Sequence, residues 1–156
     1  MALTEDQKAA REAWYLELEA NRLPQAQGTM VGPDGNSYCC LAVAEYVQGY
    51  RSELCDCEQC TDGPRRYRIH GATSVMTRET AEAMGFTDGN PKLHVPVRLG
   101  YRETYVEAGM GMTSLNDSLE LSFPEIAAVC RAQGDDWDGS GRYSYTAKPI
   151  DVGNPE

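Results

Sequence analysis

No stretch of this chain approaches the roughly eighteen consecutive apolar residues of a membrane-spanning helix. Nor do its first residues form a basic segment followed by an apolar one. Membrane insertion and export are therefore not expected, and a cytosolic protein is. Positive charge is scarce: 14 Lys and Arg face 24 Asp and Glu, for a net charge of −10. Such a surface repels phosphate backbones and anionic lipid, which argues against groove binding to nucleic acid. The one basic cluster, Arg65-Arg66-Tyr67-Arg68, reads as a solvated strand or loop. Histidine occurs only twice, and no Ser–His–Asp set, HExxH motif or Gly-rich phosphate loop is present.

What is present is a globular composition, 41% hydrophobic, in 156 residues, enough for one compact domain with a real core. Its centre is Ser37 to Gly49. Cys40, Val43, Ala44 and Val47 recur at i, i+3, i+4 and i+7, the spacing of a buried helical stripe, with Gly49 as the stop. Cys39 and Cys40 open that helix, where free backbone N–H groups favour a thiolate. Burial among apolar neighbours opposes this, and two packed thiols are the plainer expectation.

Before the centre, a helix is expected over Thr4 to about Arg22. Thr4 and Gln7 form a capping box, Ala10, Trp14 and Leu18 a core face flanked by Ala13, Leu16 and Ala20, and Pro24 the stop. Gln25 to Cys39 reads as a hairpin with strand Thr29–Val31 and turn Gly32–Asn36. Residues 50–73 form a loop-rich, cysteine-containing insertion in which Arg65 to His70 alternates like a strand. A short helix follows Thr77 and ends at Gly85. Leu93 to Leu99 reads as an edge strand because of Pro96, with Glu103 to Val106 as its partner, and Gly109 to Met112 as a flexible connection. Phe123 to Gln133 is the last strong helix, capped by Ser122 with Glu125 and expected to pack on the central one. The fold class is α+β: three main helices on a small antiparallel sheet in one domain over 1–134, with an acidic, Gly-rich extension over 135–156.

Three groups could carry chemistry. Cys55, Cys57 and Cys60, completed by His70 or by Cys39 or Cys40, would suit a structural zinc ion, although the paired Cys-x2-Cys spacing of common zinc modules is missing. A nucleophile at Cys39 or Cys40 would need a base, and neither histidine stands in a recognisable context; His94, near Pro96, reads as a strand residue. Asp136-x-Asp138-x-Ser140-Gly141 resembles the first half of a calcium loop but meets Ala147 at the position of the bidentate Glu. Asn90-Pro91 and Asn116-Asp117 read as turns whose side chains bond local backbone.

Taken in order, Trp14, Gln25 to Met30, Tyr38-Cys39-Cys40-Leu41-Ala42-Val43, Thr77 to Phe86, Asn90-Pro91 and Leu115-Asn116-Asp117 ahead of Ser122-Phe123-Pro124-Glu125-Ile126-Ala127 form a pattern. It resembles a widespread family of small proteins encoded by tailed bacteriophages and prophages, over about Trp14 to Arg131. Ala42 stands where that family usually has Gly. The Cys55–Cys60 cluster and the segment after Gly134 look like additions. The resemblance implies a shared fold, the host cytoplasm and an accessory role, and it assigns chemistry to no residue. The leading expectation is non-catalytic binding of a host component or small ligand, with countering a defence system as one use. The alternatives are a thiol- or metal-dependent enzyme using Cys39 or Cys40, and a virion-associated structural protein.

Overall fold

A computed structural model describes residues 2–55, 66–143 and 147–155. Helix α1 (Glu5–Ala20) starts at the Thr4–Gln7 capping box and ends short of Pro24, because Asn21 takes the left-handed conformation. Trp14 and Leu18 are fully buried while Leu16 is more than half exposed, so the stripe is narrower than the apolar residues alone suggest. Helix α2 (Cys40–Val47) has Cys39 as N-cap rather than in its first turn. Its residues Cys40 to Ala44 are wholly buried, and Trp14 donates from Nε1 to the Cys40 carbonyl at 2.9 Å.

The expected hairpin reduces to isolated bridges of Val31 and Gln25 with Tyr38, closed by Gly32 N–H to the Ser37 carbonyl at 2.9 Å. Strand β1 (Ser52–Leu54), inside the segment expected to be loop-rich, pairs antiparallel with β2 (Tyr67–Ile69). Helix α3 (Arg78–Ala83) is capped by Thr77 and ends before Gly85, whose φ of +75° turns the chain back so that Phe86 is buried. Strand β3 (Val97–Leu99) is not an edge. It lies between β4 (Thr104–Val106, antiparallel) and β5 (Ile150–Asp151, parallel), while Pro96 falls just before it and offers its carbonyl to Ile150 N–H.

The expected flexible connection ends in helix α4 (Met112–Asp117), with Met112 and Leu115 in the core. Helix α5 (Phe123–Gln133) has the expected limits and its Ser122–Glu125 capping box. It packs mainly on α1, not on α2, and α4 takes the place against α2. The α+β class holds, with five helices and two small sheets among the described residues.

The segment read as an extension contributes to the core. Trp137 is buried, is edge-on to Phe86 at 4.7 Å between centroids, and donates to the Lys92 carbonyl at 2.7 Å. Gly139, at φ +78°, approaches Pro91 and Phe86 so closely that a Cβ would lie 2.9 Å from the Pro91 Cβ. Glycine is required there on both counts.

Candidate functional site

The paired thiols are packing residues. Burial pushes the Cys39 thiol up to about 11, although backbone N–H groups of Leu41 and Ala42 pull the other way. Burial drives Cys40 well above its ordinary value, and its Sγ lies 3.6 Å from the Met112 carbonyl. Cys130, on α5, is likewise pushed up by burial, with its Sγ 3.8 Å from Met112 Sδ. At the start of α2 desolvation outweighs the helix end, and a thiol held neutral is a poor nucleophile.

Asn116 does not serve a local turn. It is fully buried on α4, and its Oδ1 accepts from Cys40 N–H at 3.2 Å and from Gln25 Nε2 at 2.9 Å. Its Nδ2 donates to the Ala26 carbonyl and to Asp117 Oδ1, both at 2.7 Å. Cys39 has no side-chain cap to give, so α2 is capped from 76 residues away. Asn90 acts in the same manner: its Oδ1 accepts from Thr113 N–H at 3.1 Å, in the first turn of a helix whose own N-cap is Gly111. His94 is held by Gln133, whose Oε1 accepts from His94 N–H at 2.9 Å and whose carbonyl lies 2.8 Å from His94 Nε2.

The densest polar cluster surrounds Glu45, a carboxylate that α2 buries completely. Oε2 accepts from Thr77 N–H at 2.6 Å; Oε1 accepts from Thr80 Oγ1 at 2.5 Å and lies 2.8 Å from His70 Nδ1. His70 stacks on Tyr50 with centroids 3.5 Å apart, and its Nε2 is 3.3 Å from Glu79. Thr77, His70 and Glu45 do not make a catalytic relay. A relay needs the carboxylate on one ring nitrogen and the hydroxyl on the other. Here Thr77 Oγ1, at 3.0 Å, shares Nδ1 with Glu45, and the same hydroxyl caps α3 by accepting from Thr80 N–H. Glu45 is a cap for α3, with its negative charge at the positive end of that helix.

The opposite end of α3 is held by a buried cation. Arg11, 3% exposed on α1, donates from Nε to the Met84 carbonyl at 2.6 Å and from Nη2 to the carbonyls of Gly85 at 3.2 Å and Trp137 at 2.5 Å. Its guanidinium lies 4.1 Å from the Phe86 ring centroid. Burial lowers its pKa, partly offset by Tyr15, Cys130 and Asp135. No carboxylate pairs with it among the described residues, and Nη1 is buried without a hydrogen-bond partner. Arg11 also lines a cavity of about 450 Å³ between α1 and α5, together with Lys8, Glu12, Tyr15, Cys130 and Asp135. Sequence reading misses Arg11, since one arginine beside an apolar stripe gives no signal of burial.

Of the expected zinc ligands, Cys57 and Cys60 lie outside the described residues. Cys55 follows β1 and is half-buried; His70 is the residue held at Glu45. Among the described residues no three metal-ligating side chains converge. In the calcium-like segment Asp138 Oδ1 accepts from Ser140 N–H at 2.9 Å, an ordinary turn. Also among the described residues, no helix is long and apolar enough to cross a membrane. Compared with known proteins, the chain matches no family model, no curated protein and no solved structure.

Proposed function

We propose that this is a small phage accessory protein that acts in the host cytoplasm by binding a host component or small ligand, without catalysis. The observation that carries the reading is how the polar groups are used. Glu45, His70, Thr77, Asn90 and Asn116 each hold a helix end or a neighbouring chain segment, whereas Arg11 Nη1 is buried without a partner. The thiol-enzyme alternative needs a lowered pKa at Cys39 or Cys40, and both are raised. A phage origin rests on the resemblance in Trp14 to Arg131, and countering a host defence is the use such binding would serve.

Mass spectrometry of the purified chain under native and denaturing conditions tests this reading. A non-covalent mass increment that disappears on denaturation supports it. A clean monomer mass together with turnover that depends on Cys39 overturns it. A stable homo-oligomer without other cargo favours the virion-associated alternative. The same spectra test the zinc expectation: an increment of one zinc, lost in Cys57→Ser or Cys60→Ser, is the expected result, and unaltered metal-free stability removes it.

A further inference from the structure

A groove of about 420 Å³ runs between α1 and the end of α2. Its apolar part is Leu16 from α1 with Tyr46 and Val47 from α2. Leu16 is 55% exposed, the most of any large hydrophobic side chain among the described residues. An exposed leucine alone is ordinary; this one shares a concave surface with two half-buried apolar neighbours. Two arginines edge the groove, and they differ. Arg22 is neutralised by Glu17, whose Oε2 accepts from Nη2 at 2.7 Å and from Nε at 3.2 Å. Arg51, an exposed residue, has no carboxylate partner among the described residues. Its Nη1 donates to the carbonyls of Tyr46 at 3.0 Å and Tyr50 at 2.8 Å, and its guanidinium lies 3.7 Å from the Tyr46 ring centroid.

Shape and charge select the occupant. Leu16, Arg22, Gly49 and Arg51 are exposed, so the groove is open and does not enclose a small molecule as a closed pocket does. It accommodates a side chain carried on a longer segment. Arg51 is held on a ring and two carbonyls before any partner arrives, so less side-chain freedom is lost when a carboxylate pairs with it. With Glu17 and Arg22 paired, the groove carries one uncompensated positive charge in a chain of net −10. A segment with one carboxylate matches it, whereas a strongly acidic segment is repelled by the rest of the surface.

We propose that this groove docks a segment of a partner protein that presents a large apolar side chain next to a single carboxylate. The side chain packs on Leu16 and Val47, and the carboxylate pairs with Arg51. The assignment rests on the reading of the chain as a non-catalytic binder and names the chemistry of its partner. Apolar contact supplies most of the affinity, and the charge pair fixes the direction in which the segment lies.

The test is a chemical-shift titration of the full chain with three capped probe peptides, acetyl-Leu-Leu-Asp-amide and its Asn and Lys counterparts. The Asp peptide should shift Leu16, Val47 and the Arg51 Nε–H saturably, and the Asn peptide should bind about two- to fivefold more weakly. Arg51→Gln should abolish that preference, since only the carboxylate contact distinguishes the two probes. Leu16 is exposed, so Leu16→Ser leaves the core intact and should weaken the Asp peptide by about fivefold. Absence of saturable shifts at the groove, equal binding of the Asn or Lys peptide, or an Asp preference that survives in Arg51→Gln each overturns the proposal. So does 4-methylpentanoate binding as tightly as the Asp peptide, which marks a small-molecule pocket. Groove shifts that follow protein concentration without any probe also overturn it, because the occupant is then a second copy of the chain. A chain that carries a non-covalent partner in native mass spectra but ignores the peptides at this groove loses this assignment and keeps the broader binding reading.

Discussion

Two buried charges hold the six-residue helix α3, and they are resolved differently. At its N-terminus Glu45 accepts hydrogen bonds on both oxygens and has an imidazole beside it. At its C-terminus Arg11 meets three carbonyls and two aromatic rings, yet one of its nitrogens bonds to nothing. Each charge has the sign that the adjoining helix end favours. A buried ion is costly unless its hydrogen-bonding capacity is filled. Glu45 is filled and behaves as a structural rivet. Arg11 is not, because Nη1 stays buried without a partner. Of these two buried ions, only Arg11 is left with hydrogen-bonding capacity that the fold does not fill.

The largest expected effect comes from removing what both sites lean on. Trp14 donates to the first residue of α2, which carries Glu45, and is edge-on to Phe86, on which Arg11 stacks. Trp14→Ala should cost about 3–5 kcal/mol in urea unfolding. A loss under about 1 kcal/mol would mean that the two ends of α3 are held independently of this anchor.

The comparison itself is sharpened by substituting each charge. Glu45→Leu leaves the Thr77 amide and the Thr80 hydroxyl without their acceptor and takes one partner from the His70 ring, and should cost about 3–5 kcal/mol. Arg11→Met keeps most of the stem, orphans carbonyls rather than N–H groups, and removes a donor that was already unsatisfied. Its expected cost is smaller, about 1–3 kcal/mol by the same measurement. A larger loss for Arg11→Met than for Glu45→Leu would break the comparison.

A second carboxylate, that of Glu125, supplies a pH signature. Burial pushes the Glu125 pKa up, but hydrogen bonds from Tyr101, Ser122 and Arg102 outweigh it and hold the group below its ordinary value. A carboxyl depressed in the folded state stabilises above its unfolded pKa, and the contribution disappears as pH falls through the folded one. Glu125→Gln should therefore be less stable than the parent at pH 7, and the gap should narrow below about pH 4. A gap that is constant with pH would show that packing, not ionisation, carries the contribution.

The smallest expected effect is on the thiols. With Cys39 and Cys40 buried and raised, neither should be alkylated at neutral pH until the chain unfolds, as read by peptide mapping. Stoichiometric labelling of Cys39 in the folded protein would return the enzyme alternative to first place.

How much of this the sequence discloses depends on whether a signal is local. Capping boxes at Thr4–Gln7 and Ser122–Glu125 are, and both helices begin where expected. The caps of α2 and α4 come from Asn116 and Asn90, across 76 and 23 residues. Their residue type suggests backbone bonding, but partners that distant leave no trace in spacing. Strand β1 escapes sequence reading because its three residues, none of them buried, carry no hydrophobic alternation. Pro96 suggests an edge strand, but it precedes β3, so its missing N–H leaves the ladder of Val97–Leu99 intact. Burial of Arg11 follows from the joint placement of α1, the end of α3 and Trp137, which no single segment encodes.

The central claim is that Arg11 retains a buried donor without a protein partner, and side-chain NMR of its guanidinium tests it most directly. With resonances assigned through Arg11→Lys, Nε–H and Nη2–H should show coupling across hydrogen bonds to their carbonyl acceptors, and the Nη1 protons should show none. Nη1 protons coupled across a hydrogen bond to a protein acceptor would contradict the claim.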